Sequence, residues 1–322
     1  MKKQWDFDFV KNSKIFGIIS ACILGIGLIF SFIFPVDLDI SFKGGTQIRF
    51  SYVGDLDKDA LQSLMEEELG HEVDMSDATT YDGERELNTV TFYLTENLDS
   101  SVTDSAEKAA VEQYEDFELT KISTNSLSPT MGNLFFVKCL VAVALAAVLL
   151  LIYVGFRFRK IGGLSAGVFG ILALLHDMLI AYLAFVIFRI PLNDNFVAVM
   201  LTILGYSLND TIVIFDRIRE NRRLSDPKTP IAEVANLSVR QSFMRTLNTA
   251  LATFVAIFTV MVLALANGME SITSFALPMT FGVVSGFYSS VFLFTPLWSK
   301  WAEHKEKREK SKKAAKKATA KK

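Results

Sequence analysis

A carboxylate in the middle of an apolar run constrains this chain more than any other feature. Phe196 to Phe215 (FVAVMLTILGYSLNDTIVIF) contains one charged residue, Asp210. At about 1.5 Å per residue the run covers the roughly 30 Å hydrocarbon core of a bilayer, with Asp210 about 6 Å from its middle. An ionised carboxylate at that depth is costly unless it meets water or a partner, so such residues mark ion pathways more often than lipid contacts. The bland alternative is a static polar contact between helices. Asn209 precedes Asp210, and Gly205, Ser207 and Thr211 surround it, small and hydroxylated positions where another helix or water can approach. A carboxyl group balanced between desolvation and a nearby cation or water can take up and release a proton as access alternates, which makes Asp210 the first candidate for a proton path.

Composition agrees with a membrane protein: 51% of the 322 residues are hydrophobic, 27 of them Phe, and mean hydropathy is +0.33. The near-neutral net charge of −2 conceals an asymmetry, because Val36 to Gly132 holds 22 acidic and 6 basic residues. That acidic block and the basic remainder face different compartments. The two cysteines, Cys22 and Cys139, lie inside apolar runs, and no clustered His accompanies them, which argues against a disulfide framework or a metal site.

In chain order, residues 1–14 form a basic N-terminal segment and residues 15–34 a first span. The span is too long for a signal-peptide core, and no small-residue cleavage site follows. Residues 36–132 have short amphipathic segments too polar for a bilayer. Leu38 to Tyr52 alternates around Gly44 and Gly45 and is expected to be a strand with a glycine bulge or a close backbone approach, giving Gly44, Gly45 and Thr46 as a motif. A helix over Asp57–Leu69, strands over Val73–Ala78 and Asn88–Leu94 joined through Tyr81, Asp82 and Gly83, a helix over Val102–Tyr114 and a strand over Phe117–Ile122 follow. The order β-α-β-β-α-β predicts a ferredoxin-like domain.

Five more spans are expected at about 134–154, 161–188, 196–216, 246–266 and 272–298 within a region running to residue 299, and residues 300–322 form a Lys-rich tail without apolar periodicity, expected to fray. Between the fourth and fifth spans, Arg217 to Arg245 is basic and is expected to form an amphipathic helix at the membrane surface. Six spans place residues 1–14, 155–160, 217–245 and the tail on one side, and these hold 25 of the 33 Lys and Arg. Both termini are therefore expected in the cytoplasm and the acidic domain outside it.

Other polar groups invite weaker assignments. His176 and Asp177 sit near the middle of the third span, as a relay or as a helix-packing pair. Arg245 is a snorkelling anchor or a counter-charge for Asp210. Asp216, Arg217, Arg219 and Glu220 are most simply a solvated helix end with charges paired at helical spacing. Lys43, Gly44 and Gly45 lack the spacing of a phosphate-binding loop, so neither ATP hydrolysis nor a cofactor is expected. The tail suits anionic membrane lipid better than nucleic acid.

GYSLNDTIVIFDRIREN (Gly205 to Asn221) resembles the signature of the SecF branch of the SecD/SecF family, membrane subunits of the bacterial Sec protein-export machinery. FDFVKNSKIFGIIS, SFKGGT, LLHDMLI and RTLNTALAT fall in the same order as in that family. The pair His176-Asp177 points to the SecF rather than the SecD branch, while Ser41 departs from the usual Asp. The resemblance implies an RND-like half of six helices in the bacterial cytoplasmic membrane, a complex with SecD, and contact with SecYEG, other Sec accessory proteins and unfolded preprotein. It also implies use of the proton gradient in late steps of export, with Asp210 as the membrane carboxylate, Arg245 as its regulating cation, and Asp216 and Arg217 in the same signature. The rivals are a proton-driven small-molecule exporter of the RND type, which should have about twice as many spans, and a docking subunit without proton flow.

Overall fold

The computed structural model describes residues 7–319 apart from Pro35, Asp37, Gly83, Glu84, Gly162 and Pro227. Six helices among them are long and apolar enough to cross a membrane. The first, α1 (Phe9–Ile33), starts where Asp8 accepts a hydrogen bond from the Lys11 amide. A helical turn, α2 (Ile40–Lys43), then leads into a small sheet unit: β1 (Gly45–Tyr52), α3 (Lys58–Leu69), β2 (Asp74–Asp82), β3 (Arg85–Leu94), α4 (Ser100–Gln113) and β4 (Thr120–Leu127). The remaining chain is α5 (Pro129–Arg157), α6 (Gly163–Ile187), α7 (Asp194–Leu224), α8 (Ile231–Ala266), α9 (Glu270–Tyr288), a wide π turn over Ser289–Phe294, and α10 (Thr295–Thr319).

The sheet has the order β2-β3-β1-β4, with every neighbouring pair antiparallel. Ile48 faces Phe92 and Phe50 faces Val90 across β1 and β3. These side chains are buried against Leu61 and Met65 of α3 and Ala106 and Ala110 of α4, so both helices cover one face. The alternate residues of β1 point the other way, toward the helical bundle, where Arg49 meets Glu270 at the start of α9 at 2.9 Å. Leu38 forms a parallel bridge with Leu192, and the Asp39 amide donates to the Leu192 carbonyl at 2.9 Å, so the loop between α6 and α7 is tied to the base of the sheet unit.

Several segments differ from expectation for identifiable reasons. Leu38 to Tyr52 is not one strand: Asp39 accepts from the amide and hydroxyl of Ser41, which winds the helical turn α2, and the strand starts only at Gly45. Gly44 and Gly45 have φ of 77° and 121°, where a side chain is strained. A Cβ on Gly44 would lie 2.4 Å from Pro129 Cα and one on Gly45 would lie 2.2 Å from the Leu94 carbonyl oxygen, so the motif is a close backbone crossing at the start of α5. Thr46 pins the same joint, donating to the Glu96 carbonyl at 2.9 Å and accepting from the Leu98 amide at 3.1 Å. Glu115–Phe117 is a 3-10 turn and the last strand begins at Thr120. The expected hairpin turn at Gly83 lies outside the described residues.

Nor is there a separate surface helix within residues 217–245. Ile231 to Ala266 contains no Gly or Pro, and α8 runs through it as one helix. Asn221 donates to Ser238 Oγ at 2.9 Å and to Gln241 Oε1 at 2.8 Å, stitching α7 and α8 upright as an antiparallel hairpin. The described part of the tail, to Thr319, is helical rather than frayed, as its Ala, Lys and Glu favour, with Glu303 paired to Lys307 and Glu306 to Arg222. In the bundle α6, α7 and α9 lie centrally, whereas α1, α5 and α8 present broad apolar outer faces.

Candidate functional site

The centre of the bundle holds two buried carboxylates in contrasting surroundings. α6 carries Asp177 there because one of its faces is made of small residues, Ala166, Gly167, Gly170 and Ala173, all buried. Asp177 is fully buried, and its Oδ2 accepts from Ser207 Oγ at 2.5 Å and Ser289 Oγ at 2.8 Å. Its Oδ1 accepts from Ser285 Oγ at 2.6 Å and from His176 Nδ1 at 3.0 Å. Four donors, from α6, α7, α9 and the π turn, converge on this one carboxyl group.

His176 extends this cluster to α1. With Nδ1–H directed at Asp177, Nε2 faces Ser20 Oγ at 2.6 Å, and the ring stacks on Tyr288 with its edge contact to Phe294. The π turn presents two consecutive serines to the core. Ser289 donates to Asp177, and Ser290 Oγ lies 2.9 Å from Thr211 Oγ1 on α7, an arrangement that an undistorted helix, turning about 100° per residue, would not favour. Ser20, Ser285, Ser289 and Ser290 escaped the sequence analysis. Ser285 and Ser289 at helical i, i+4 spacing inside an apolar span are the signal that could have exposed them.

Asp210 stands one helical turn from Ser207, yet its situation is different. It is 1% exposed, and its Oδ2 has no hydrogen-bond partner among the described residues. A buried carboxylate oxygen without a donor carries a large desolvation cost, which binding a proton or admitting water relieves. The anticipated ion pair with Arg245 is not made among the described residues: Arg245 is on the outer face of α8. Its depth is nevertheless close. Arg217 Nε donates to Gln241 Oε1 at 2.6 Å, which sets the antiparallel register of α7 and α8 and brings Arg245 within roughly 5 Å of the level of Asp210 along the bundle.

Gly205 and Asn209 are exposed on α7, and Arg245 and Asn248 are exposed on the neighbouring α8. A Cβ at Gly205 would meet nothing within 4 Å. At the end of α7, Asp216 pairs with Arg157 at 2.8 Å and Arg219 at 3.0 Å, and Arg217 pairs with Glu220 at 2.6 Å, a network at helical spacing joined to the α5 terminus.

The family described as protein export membrane protein SecD/SecF, C-terminal, matches residues 106–304. A SecF translocase subunit from Alicyclobacillus acidocaldarius is 33% identical over 92% of both chains. The chain belongs to the SecD/SecF family. A SecF subunit from Sebaldella termitidis is 32% identical over 91% of each chain. The SecDF subunit of Bacillus subtilis is 31% identical over 93% of this chain but only 38% of its own length. In structure, SecDF from Thermus thermophilus, described as a translocon-associated membrane protein, superposes with a TM-score of 0.75 at 26% identity, covering 93% of this chain and 40% of that one. This SecD/SecF family member is thus a multi-pass membrane protein with an accessory role in Sec translocation, and it spans about two-fifths of the SecDF chains it matches.

Proposed function

We propose that this subunit couples the proton gradient to late steps of preprotein export, in complex with SecD and beside SecYEG, using no enzymatic site or cofactor of its own. The observation that carries the proposal is the contrast between Asp177, satisfied by four donors, and the buried Asp210, whose Oδ2 has none. Asp177 and His176 hold α1, α6, α7 and α9 in register, and Asp210 takes up and releases the proton. Arg245 swings from the outer face of α8 when the bundle rearranges and favours proton release from Asp210.

The exposed Asn209 of α7 and Arg245 and Asn248 of α8 support a partner beside these helices, because exposed polar groups at membrane depth are costly, and the exposed Gly205 leaves room for its close approach. In a SecD complex these residues face the partner's helices and close the proton path between two RND-like halves. The sheet order β2-β3-β1-β4 supports a ferredoxin-like domain, and the charge asymmetry supports placing it outside the cytoplasmic membrane with both termini inside. There it meets the emerging unfolded preprotein, while the cationic tail is drawn to anionic lipid.

Complementation of cells depleted of their own SecF tests this reading. Wild type restores export of a signal-bearing preprotein, and Asp210→Asn leaves export impaired while still copurifying with SecD. Full export by Asp210→Asn contradicts the proposal; loss of SecD with Asp210→Asn favours a docking role for the residue instead.

A further inference from the structure

At the end of the bundle opposite the sheet, a groove of about 890 Å³ opens on the outer face between α5, α6 and α10. Its walls are Leu151, Ile152 and Phe156 of α5 and Leu164, Val168 and Phe169 of α6, residues inside or bordering the spans, so it opens toward lipid. Glycines make its floor. A Cβ on Gly163 would lie 2.3 Å from the Gly155 carbonyl oxygen, so the two helices touch at their backbones there, while larger side chains on either side form the walls.

The groove has a charged mouth. Arg159, in the turn after α5, lies over the Phe156 ring at 5.9 Å, and Lys305 lies over the Trp301 ring at 5.3 Å. Of the nearby charges, Arg157 is paired with Asp216, Lys307 with Glu303 and Arg222 with Glu306, while Glu309, one turn beyond Lys305, lines the adjacent recess without an ion pair among the described residues. Arg159 and Lys305 make no ion pair among the described residues. Two unneutralised cations held over aromatic rings at the rim of an apolar, lipid-facing groove complement a ligand with an anionic head and a hydrocarbon tail.

We propose that this groove binds one anionic phospholipid, its phosphate between Arg159 and Lys305 and an acyl chain along Leu151, Ile152, Val168 and Phe169. The site uses Lys305 at the start of the tail but is distinct from any diffuse attraction of the lysines beyond it, because it requires the apolar walls as well as the charges. An apolar partner helix in the groove would bury the two cations without a counter-charge.

The test titrates the full-length protein in mild detergent with dioleoyl-phosphatidylglycerol or dioleoyl-phosphatidylcholine and counts bound lipids by native mass spectrometry. One phosphatidylglycerol binds in preference to phosphatidylcholine. Arg159→Gln with Lys305→Gln weakens that binding roughly thirtyfold and leaves phosphatidylcholine unchanged. Gly155→Leu weakens both lipids: a Cβ there meets nothing within 4 Å, and the longer side chain projects into the groove. Lys312→Gln, in the tail, changes neither. Thermal melting of each variant reports that the fold is kept. Equal binding of the two lipids, undiminished phosphatidylglycerol binding in the double variant, a loss as large with Lys312→Gln, or release of the bound lipid when SecD is added would each overturn the proposal.

Discussion

Asp177 and Asp210 are buried in the same bundle, the first surrounded by donors and the second with an Oδ2 that has none among the described residues. Removing the charge of Asp177 leaves donors from Ser207, Ser285, Ser289 and His176 facing an amide that can accept at only one end. Asp177→Asn is therefore expected to destabilise the protein by about 2–4 kcal/mol, seen as a lower melting midpoint in detergent. Asp210→Asn removes a group with a bare Oδ2 and its desolvation cost, so the melting midpoint stays the same or rises. Equal losses in the two variants would contradict this division of roles. Asp210, His176 and Asp177 were legible in the sequence because a charge or imidazole stands out in an apolar run. The serines around Asp177 were not, since single hydroxyls are common in spans and become informative only once helix packing aims them at one carboxylate. Arg245 shows the opposite limit: sequence distance marked it as lying outside the fifth apolar run, and only the pairing of Arg217 with Gln241 reveals its depth.

At the scale of elements, hydropathy reveals spans but not how helices continue beyond them. The six apolar runs are visible by inspection, whereas α8 extends through polar sequence because nothing in Ile231–Ala266 breaks it and its start is hydrogen-bonded to α7. The order of strands and helices in the sheet unit followed from periodicity. Its entry did not, because local bonds from the Ser41 amide and hydroxyl to Asp39 outcompeted strand pairing. The Gly44-Gly45 joint yields a prediction at this scale. Gly45→Ala places a Cβ against the Leu94 carbonyl at φ of 121°, so it should destabilise the sheet unit by about 1–3 kcal/mol. Faster proteolysis between residues 44 and 128 in the folded membrane protein would report it, and wild-type resistance would argue against a strained crossing.

Across the whole molecule, α9 connects the sheet unit to the buried carboxylates. Glu270 at its first turn holds Arg49 of β1, and Ser285, some four turns or about 22 Å further along, donates to Asp177. A shift of this helix alters both ends together, a physical route from the buried carboxylates to the sheet unit that the proposed proton coupling requires. The Arg49–Glu270 pair is partly exposed, so Arg49→Ala should change stability by less than about 1 kcal/mol. It should nonetheless broaden the distance distribution between spin labels on the sheet unit and on α9, and an unaltered distribution would show that the pair does not hold the two parts together. The central claim is that protons pass by way of Asp210, and the direct measurement is proton flux into liposomes containing this protein and SecD under an imposed gradient. Flux is expected with the wild type and lost in Asp210→Asn with the complex intact; undiminished flux in Asp210→Asn would rule out a proton path through this carboxylate.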